Sequence, residues 1–272
     1  MPGKTWWTNV VTYKDYNWKK TLVPRSSGKT FEPGSECVAN SYLHPPSRIT
    51  KPGRANIAGC PVLYVSDSLD DCLQEIGCIS PGDTARVSLI EYNGVMELAQ
   101  FLFPKNIHQL GVRTAALATQ FFDPFSKTMS GYSALQKEMA FHLHWSICEE
   151  YLSKRHFFSS LVSWNLIYRH GGIDGIIYPS THSLQTVNFA LSAIASSKCK
   201  ILRCFKVCIS ADGNIQIISV GIVSEQSTIE WQDPTEGNLN LSGHNIAWNH
   251  DKNYRKIIKT NTNGHSSPPP TL

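Results

Sequence analysis

Between Gly53 and Gly77 the chain reads GRANIAGCPVLYVSDSLDDCLQEIG, and three of these residues carry chemistry that packing does not need: Arg54, Tyr64 and Glu75. A guanidinium presents a rigid fork of donors to anionic oxygens. A phenol ring can lie against a cation. A carboxylate can stabilise a cation that develops during a reaction. On residue type alone the plainer reading comes first: a surface arginine, a core phenol and a solvated helix charge. Glu75 counts against it. It falls beside the apolar positions Leu69, Cys72, Leu73 and Ile76 and not opposite them. A carboxylate near such a strand–helix junction is costly unless partnered.

The elements that must position these groups can be read from the same stretch. CPVLYVSD (60–67) is a short apolar, β-rich run and predicts a strand. Ser68 with Asp71 resembles a capping box, and Leu69, Cys72, Leu73 and Ile76 follow helical spacing, ending at Gly77 or Gly82. Upstream, LHPPSRITKPGR (43–54) is a proline-rich loop. Downstream, TARVSLIEY (84–92) alternates as a strand does, and GVMELAQFLFP (94–104) continues in extended or mixed form. Residues 105–131 read as loop and short helix. SALQKEMAFHLHWSICEEYLSKR (133–155) is the clearest helix, with Leu135, Met139, Leu143, Ile147 and Tyr151 as its apolar stripe. GGIDGIIYPSTHS (171–183) is a glycine turn, a buried strand and a polar loop. Two strands joined at ADGN fill 199–224. Residues 1–40 are aromatic and polar without period, which predicts irregular and short helical structure; the tail TNTNGHSSPPPTL is of disordered type. Strands dominate, with one or two long helices, so the class is α+β. The expected division is an N-terminal extension (1–40), a main domain (41–225) and a C-terminal extension with a flexible tail (226–272).

Composition bounds the function. The 272 residues are 41% hydrophobic and 17% charged, a globular balance. The formal net charge of +4 is too weak to imply nucleic acid but suits an anionic small ligand. None of the eight cysteines forms a C-x-x-C pair, which favours reduced thiols over zinc or disulfides. No apolar run reaches membrane-spanning length and no signal-peptide core is visible, so the expected location is cytoplasmic, with no membrane partner. His142 and His144 do not share a helix face, no P-loop or G-x-G-x-x-G occurs, and no metal is expected. The basic strip KNYRKIIK (252–259) reads as a solvated face.

Taken in order, Gly53-Arg54-x-Asn56, Gly59-x-Pro61, Tyr64 and Glu75 resemble the signature of the RES-domain family, with the family's gaps of ten from arginine to tyrosine and eleven from tyrosine to glutamate. A second segment, GIDGIIYPSTHSLQTVNFAL, is similar to the family's Asp-Gly-x-x-Tyr-x-Ser stretch and a following asparagine, here Asp174, Gly175, Tyr178, Ser180 and Asn188. Tyr132 and Gln136 resemble a weaker helix motif. The resemblance covers roughly residues 43–200. It implies an ADP-ribosyltransferase-like fold of mixed β-sheets and flanking helices, and bacterial toxins that attack NAD+.

On that resemblance Glu75 would stabilise the oxocarbenium ion and orient the ribose hydroxyls, Arg54 would bind pyrophosphate, and Tyr64 would face nicotinamide or ribose. Ser180 would close the other side. Asn56 and Asn188 would either contact the ligand or brace loops. Ala55 departs from the family's tryptophan-like residue; Arg25 or Arg48 would supply a further upstream arginine. Residues 154–170 look like an insertion that could shape substrate access or bind a partner. The implied activity is NAD+ glycohydrolysis or phosphorolysis by a growth-arresting toxin, with an antitoxin or immunity protein as partner. An ADP-ribosyltransferase and a catalytically silent binding module are the alternatives, and homo-oligomerisation stays open.

Overall fold

The computed structural model describes residues 11–13, 19–22, 38–66, 69–77, 80–92, 96–101, 129–153, 156–169, 172–182 and 187–235. In chain order the elements are β1 (Val11–Tyr13), β2 (Lys19–Leu22), β3 (Val62–Ser66), α1 (Leu69–Glu75), β4 (Thr84–Tyr92) and β5 (Met96–Gln100). Then come α2 (Ala134–Leu152), α3 (Phe157–Trp164), a π-helical turn (Asn165–Arg169), β6 (Gly175–Pro179) and β7 (Val187–Ser192). The short α4 (Ala193–Ser197), β8 (Cys199–Ile209), β9 (Ile215–Val223) and β10 (Ile229–Gln232) complete the order.

The ten strands follow one hydrogen-bonded order, β1-β5-β6-β7-β3-β2-β4-β8-β9-β10. Among the described strands only β5 and β6 pair in parallel, so the sheet is mixed and the protein is α+β, as its strand-rich pattern predicts. The central trio β3, β7 and β6 is covered on both faces. Leu63, Val65, Ile177, Phe189 and Leu191 enter one core cluster, and Val62, Ile176, Tyr178 and Ala190 enter another. Strands buried on both faces read as continuous apolar runs, and VLYVS and GIIYP do so. A third cluster, with Leu73, Val87, Phe205 and Val220, lies under α1.

Several expectations hold. The strand at 84–92 spans β4, and the hairpin at 199–224 is β8–β9. Helix α1 ends at Gly77, whose φ of +74° is the left-handed conformation glycine adopts without strain. Others need correction. Where it is described, the N-terminal extension holds the start of one short 3-10 helix (Ala39–Tyr42) but also two unexpected strands: β1 pairs with β5, and β2 fills the gap between β3 and β4. Strands so short take their identity from the ladders beside them, which local sequence does not display. The apolar stripe of α2 is buried only in its C-terminal half. Ile147 and Tyr151 are core, whereas Leu135, Met139 and Leu143 are exposed. Residues 102–128, the Ser68 half of the expected capping box, Arg25, the 252–259 strip and the C-terminal tail lie outside the described residues.

The six described cysteines, Cys60, Cys72, Cys148, Cys199, Cys204 and Cys208, all carry thiols. Burial pushes Cys199 and Cys204 up to about 12, as expected of small hydrophobes. Among the described residues no helix is long and apolar enough to cross a membrane.

Candidate active site

Register places the site. Ser66 on β3 sits opposite Asn188 on β7, and Asn188 sits opposite Tyr178 on β6. One step along the same face, Tyr64 pairs with Ala190. Alternation along each strand therefore aims Tyr64, Ser66, Asn188 and Tyr178 to one side. The chain leaves β3 into α1, whose last residue, Glu75, returns over this row.

The turn before β3 brings Arg54. Gly53 N–H donates to the Asn56 carbonyl at 2.9 Å. The Asn56 side chain donates to the carbonyls of Lys51 (2.8 Å) and Ile57 (3.0 Å). Tyr64 completes the brace: its hydroxyl accepts from Ala55 N–H at 2.8 Å and donates to Asn56 Oδ1 at 2.9 Å. A side chain at residue 53 would defeat this, because a Cβ there would fall 2.7 Å from Asn56 Oδ1 and 2.8 Å from the Tyr64 hydroxyl. The Gly-Arg-x-Asn order thus has a local cause. Glycine admits the phenol, asparagine ties the turn, and arginine projects from it.

Glu75 is held from three sides. Asn188 Nδ2 donates to Oε1 at 3.0 Å, Thr181 Oγ1 lies 3.5 Å from the same oxygen, and Arg54 Nη1 lies 3.6 Å away. The side chains of Arg54 and Glu75 are 14% and 27% exposed, so the pair sits at an opening and not in bulk water. All three contacts are to Oε1. Around them is a cleft of about 360 Å³ whose lining includes Arg54, Tyr64, Glu75, His156, Tyr178 and Asn188. That volume falls in the range of small-molecule sites, roughly 300–1,000 Å³.

Arg54, Tyr64, Glu75 and Asn188 thus all line one cleft. Asn56 is a brace, almost fully buried, and does not line the cleft. Ser180 does not line it either: it is fully buried, and its Oγ accepts from His182 N–H at 3.1 Å, shaping the turn that carries Thr181. Arg48 is exposed on the turn Ser47–Ile49 and is not a cleft residue.

Three contributors escaped the sequence reading as site groups: Thr181, Tyr178 and His156. Tyr178 is buried, which raises its pKa well above the ordinary phenol value. Its ring stacks on Tyr151 at 5.3 Å, and Tyr151 stacks on Phe101 at 4.8 Å, tying the cleft floor to α2. His156 is the residue before α3, inside the expected 154–170 insertion. Burial lowers its pKa, and the Arg54 charge lowers it further. The insertion is held down where Tyr168, in the π-helical turn, donates to the Pro61 carbonyl at the start of β3.

No group of three or more metal-ligating side chains occurs among the described residues. Fold and site define an α+β protein with an arginine–carboxylate pair mounted over a buried mixed sheet. A model of the RES domain family matches residues 33–204, well over half of the chain, and the chain belongs to that family. No curated protein and no solved structure matches it.

Proposed function

We propose that this protein cleaves the nicotinamide–ribose bond of NAD+, passing the ADP-ribosyl group to water or phosphate. The observation that carries the reading is the convergence of Arg54, Tyr64 and Glu75 on one cleft, with Glu75 pinned by Asn188 through a single oxygen. Nicotinamide is already cationic in NAD+ and departs as a neutral molecule with the bonding electron pair, so departure needs no general acid. The ribose is left as an oxocarbenium ion, the species that carboxylates stabilise in glycoside cleavage. Glu75 Oε2, which takes none of the three contacts, would face that cation. Arg54 would bind pyrophosphate oxygens. The Tyr64 ring would cover nicotinamide or ribose while its hydroxyl stays engaged in the turn. Water or phosphate then adds to the anomeric carbon; water loses a proton to solvent.

Unchecked turnover of this kind would stop growth, so the protein acts as a toxin or defence effector and a neutralising partner protein accompanies it. The test is incubation of purified protein with NAD+, with and without phosphate, while nicotinamide and the ribosyl product are measured. Release in either condition, with ADP-ribose or its 1-phosphate formed, is the expected result. Absence of release at micromolar enzyme would overturn the proposal in favour of a silent binding module. Label carried onto a macromolecule would mark an ADP-ribosyltransferase instead.

A further inference from the structure

Two polar atoms at the cleft are buried without a hydrogen-bond partner among the described residues: Nε of Arg54 and Nδ1 of His156. Both residues line the same cavity. A buried polar atom with no partner is uncommon and costs stability. Two at one opening, on elements distant in sequence, point to something that binds there.

Arg54 Nε can only donate, so its missing partner is an acceptor. His156 is fixed by its backbone: its carbonyl accepts from Ser160 N–H at 2.9 Å and from Ser159 Oγ at 3.3 Å, which seats the first turn of α3. The imidazole caps nothing in its own helix, and His156 is one of the residues that line the cleft. We propose that His156 is a ligand-binding residue that donates from Nδ1 to an anionic phosphate oxygen alongside Arg54. The nature of the ligand, a dinucleotide pyrophosphate, rests on the NAD+ reading above; the anion site itself does not.

The charges that face His156 set its behaviour. Burial and Arg54 favour the neutral ring; Glu75 on α1 and Glu150 on α2 oppose them. Burial and Arg54 prevail, and the ring's pKa lies below its ordinary value. A bound phosphate would neutralise the Arg54 field and favour the imidazolium. Binding then takes up a proton, and affinity for the anion rises as pH falls from about 8 to about 6, through the range where histidine titrates.

The experiment compares wild type, His156→Ala and His156→Gln in nicotinamide release across that pH range. In parallel, the His156 imidazole resonances are followed by NMR in wild type on addition of ADP-ribose and of inorganic pyrophosphate. The expected result is a KM for NAD+ raised about tenfold in His156→Ala with kcat retained. His156→Gln recovers most of that loss, and the wild-type fall in KM toward acid pH is flattened in both variants. If wild type turns over NAD+ and neither KM nor its pH profile moves in the variants, the inference is wrong while the proposed function stands. If wild type releases no nicotinamide but pyrophosphate raises the His156 pKa, the anion site stands and the proposed function falls. If neither ligand perturbs His156, the site assignment is overturned.

Discussion

Two polar clusters border one aromatic stack, one at Tyr151 and one at Tyr178, and they are built in contrary ways. On the α2–α3 side, Tyr151 is fully buried, with its hydroxyl 2.6 Å from Ser163 Oγ, while Ser163 donates to the Ser159 carbonyl at 2.7 Å. One turn earlier on α2, the buried His144 and Cys148 meet at 3.5 Å. At the cleft, where Tyr178 joins the lining, the arginine–carboxylate contact is a single 3.6 Å approach and two buried nitrogens have no partner among the described residues. A buried polar network whose members satisfy one another stabilises and specifies the fold. One left incomplete at an opening is held ready for something else. The contrast separates a structural cluster from a functional one more sharply than residue type does, since both contain tyrosine, histidine and serine neighbours.

The contrast predicts that cleft substitutions disturb chemistry and seam substitutions disturb stability. The largest effect belongs to Glu75. Glu75→Gln keeps an acceptor for Asn188 but removes the charge, and nicotinamide release should fall roughly 10²–10³-fold in kcat, the scale of losing a preorganised electrostatic group. Its thermal midpoint should change little, because the carboxylate is partly exposed and, among the described residues, only one of its oxygens is engaged. A variant that kept full turnover, or one that unfolded, would erase the distinction between the clusters.

The seam should show itself in acid. Burial lowers His144 from 6.5 to about 4, so the folded protein holds the ring neutral where the unfolded chain would protonate it. Between those two values the unfolded state binds more protons, and stability must fall as pH drops. The full contribution is present above about pH 6.5 and is lost on the way to about pH 4, amounting to about 3 kcal/mol. Urea melts at several pH values would measure it, and His144→Phe should flatten that part of the dependence. Acid sensitivity unchanged in the variant would place its cause elsewhere. His142, two residues back, is exposed beside Glu138 at 3.9 Å, in keeping with its position on the opposite face.

A smaller loss is expected from Tyr151→Phe. It removes one hydroxyl whose partner, Ser163, keeps its own acceptor. The cost should be about 1–2 kcal/mol in a denaturation experiment, with nicotinamide release per folded molecule unchanged. A loss of turnover without a loss of stability would mean that the aromatic stack transmits to the cleft.

What could be read in the sequence follows the same division. Strands with a clean pattern, such as β4 and the β8–β9 pair, declare themselves because one residue in two faces a core. The continuous run VNFALS of β7 was visible only through its asparagine, since a strand buried on both faces carries no alternation. Strands β1 and β2 are made by their neighbours' ladders and left no local trace. In the site, Arg54, Tyr64, Glu75 and Asn188 were legible because motif spacing reflects how the turn, strand and helix fold back on one another. Ser180 was legible as a motif residue but not as a buried one, because whether a serine faces the cleft or supports the turn behind it depends on one rotation of the backbone. His156 had no signal beyond its place in an insertion, since only the packing of α3 brings it to Arg54.

The smallest effect, and the one that tests the contrast most closely, is Tyr64→Phe. Its ring lines the cleft, yet its hydroxyl is fully engaged, accepting from Ala55 and donating to Asn56. By position it belongs with the functional cluster; by hydrogen bonding it belongs with the structural one. Removing the oxygen keeps the ring and breaks two bonds of the turn that carries Arg54. If engagement decides, the variant should lose about 1 kcal/mol of stability. It should also raise KM for NAD+ a few-fold through a looser Arg54, with kcat nearly unchanged. A large fall in kcat with the melting midpoint intact would show the phenol acting on the substrate directly. Position at the opening, and not the state of a group's hydrogen bonds, would then be the better guide to function in this fold.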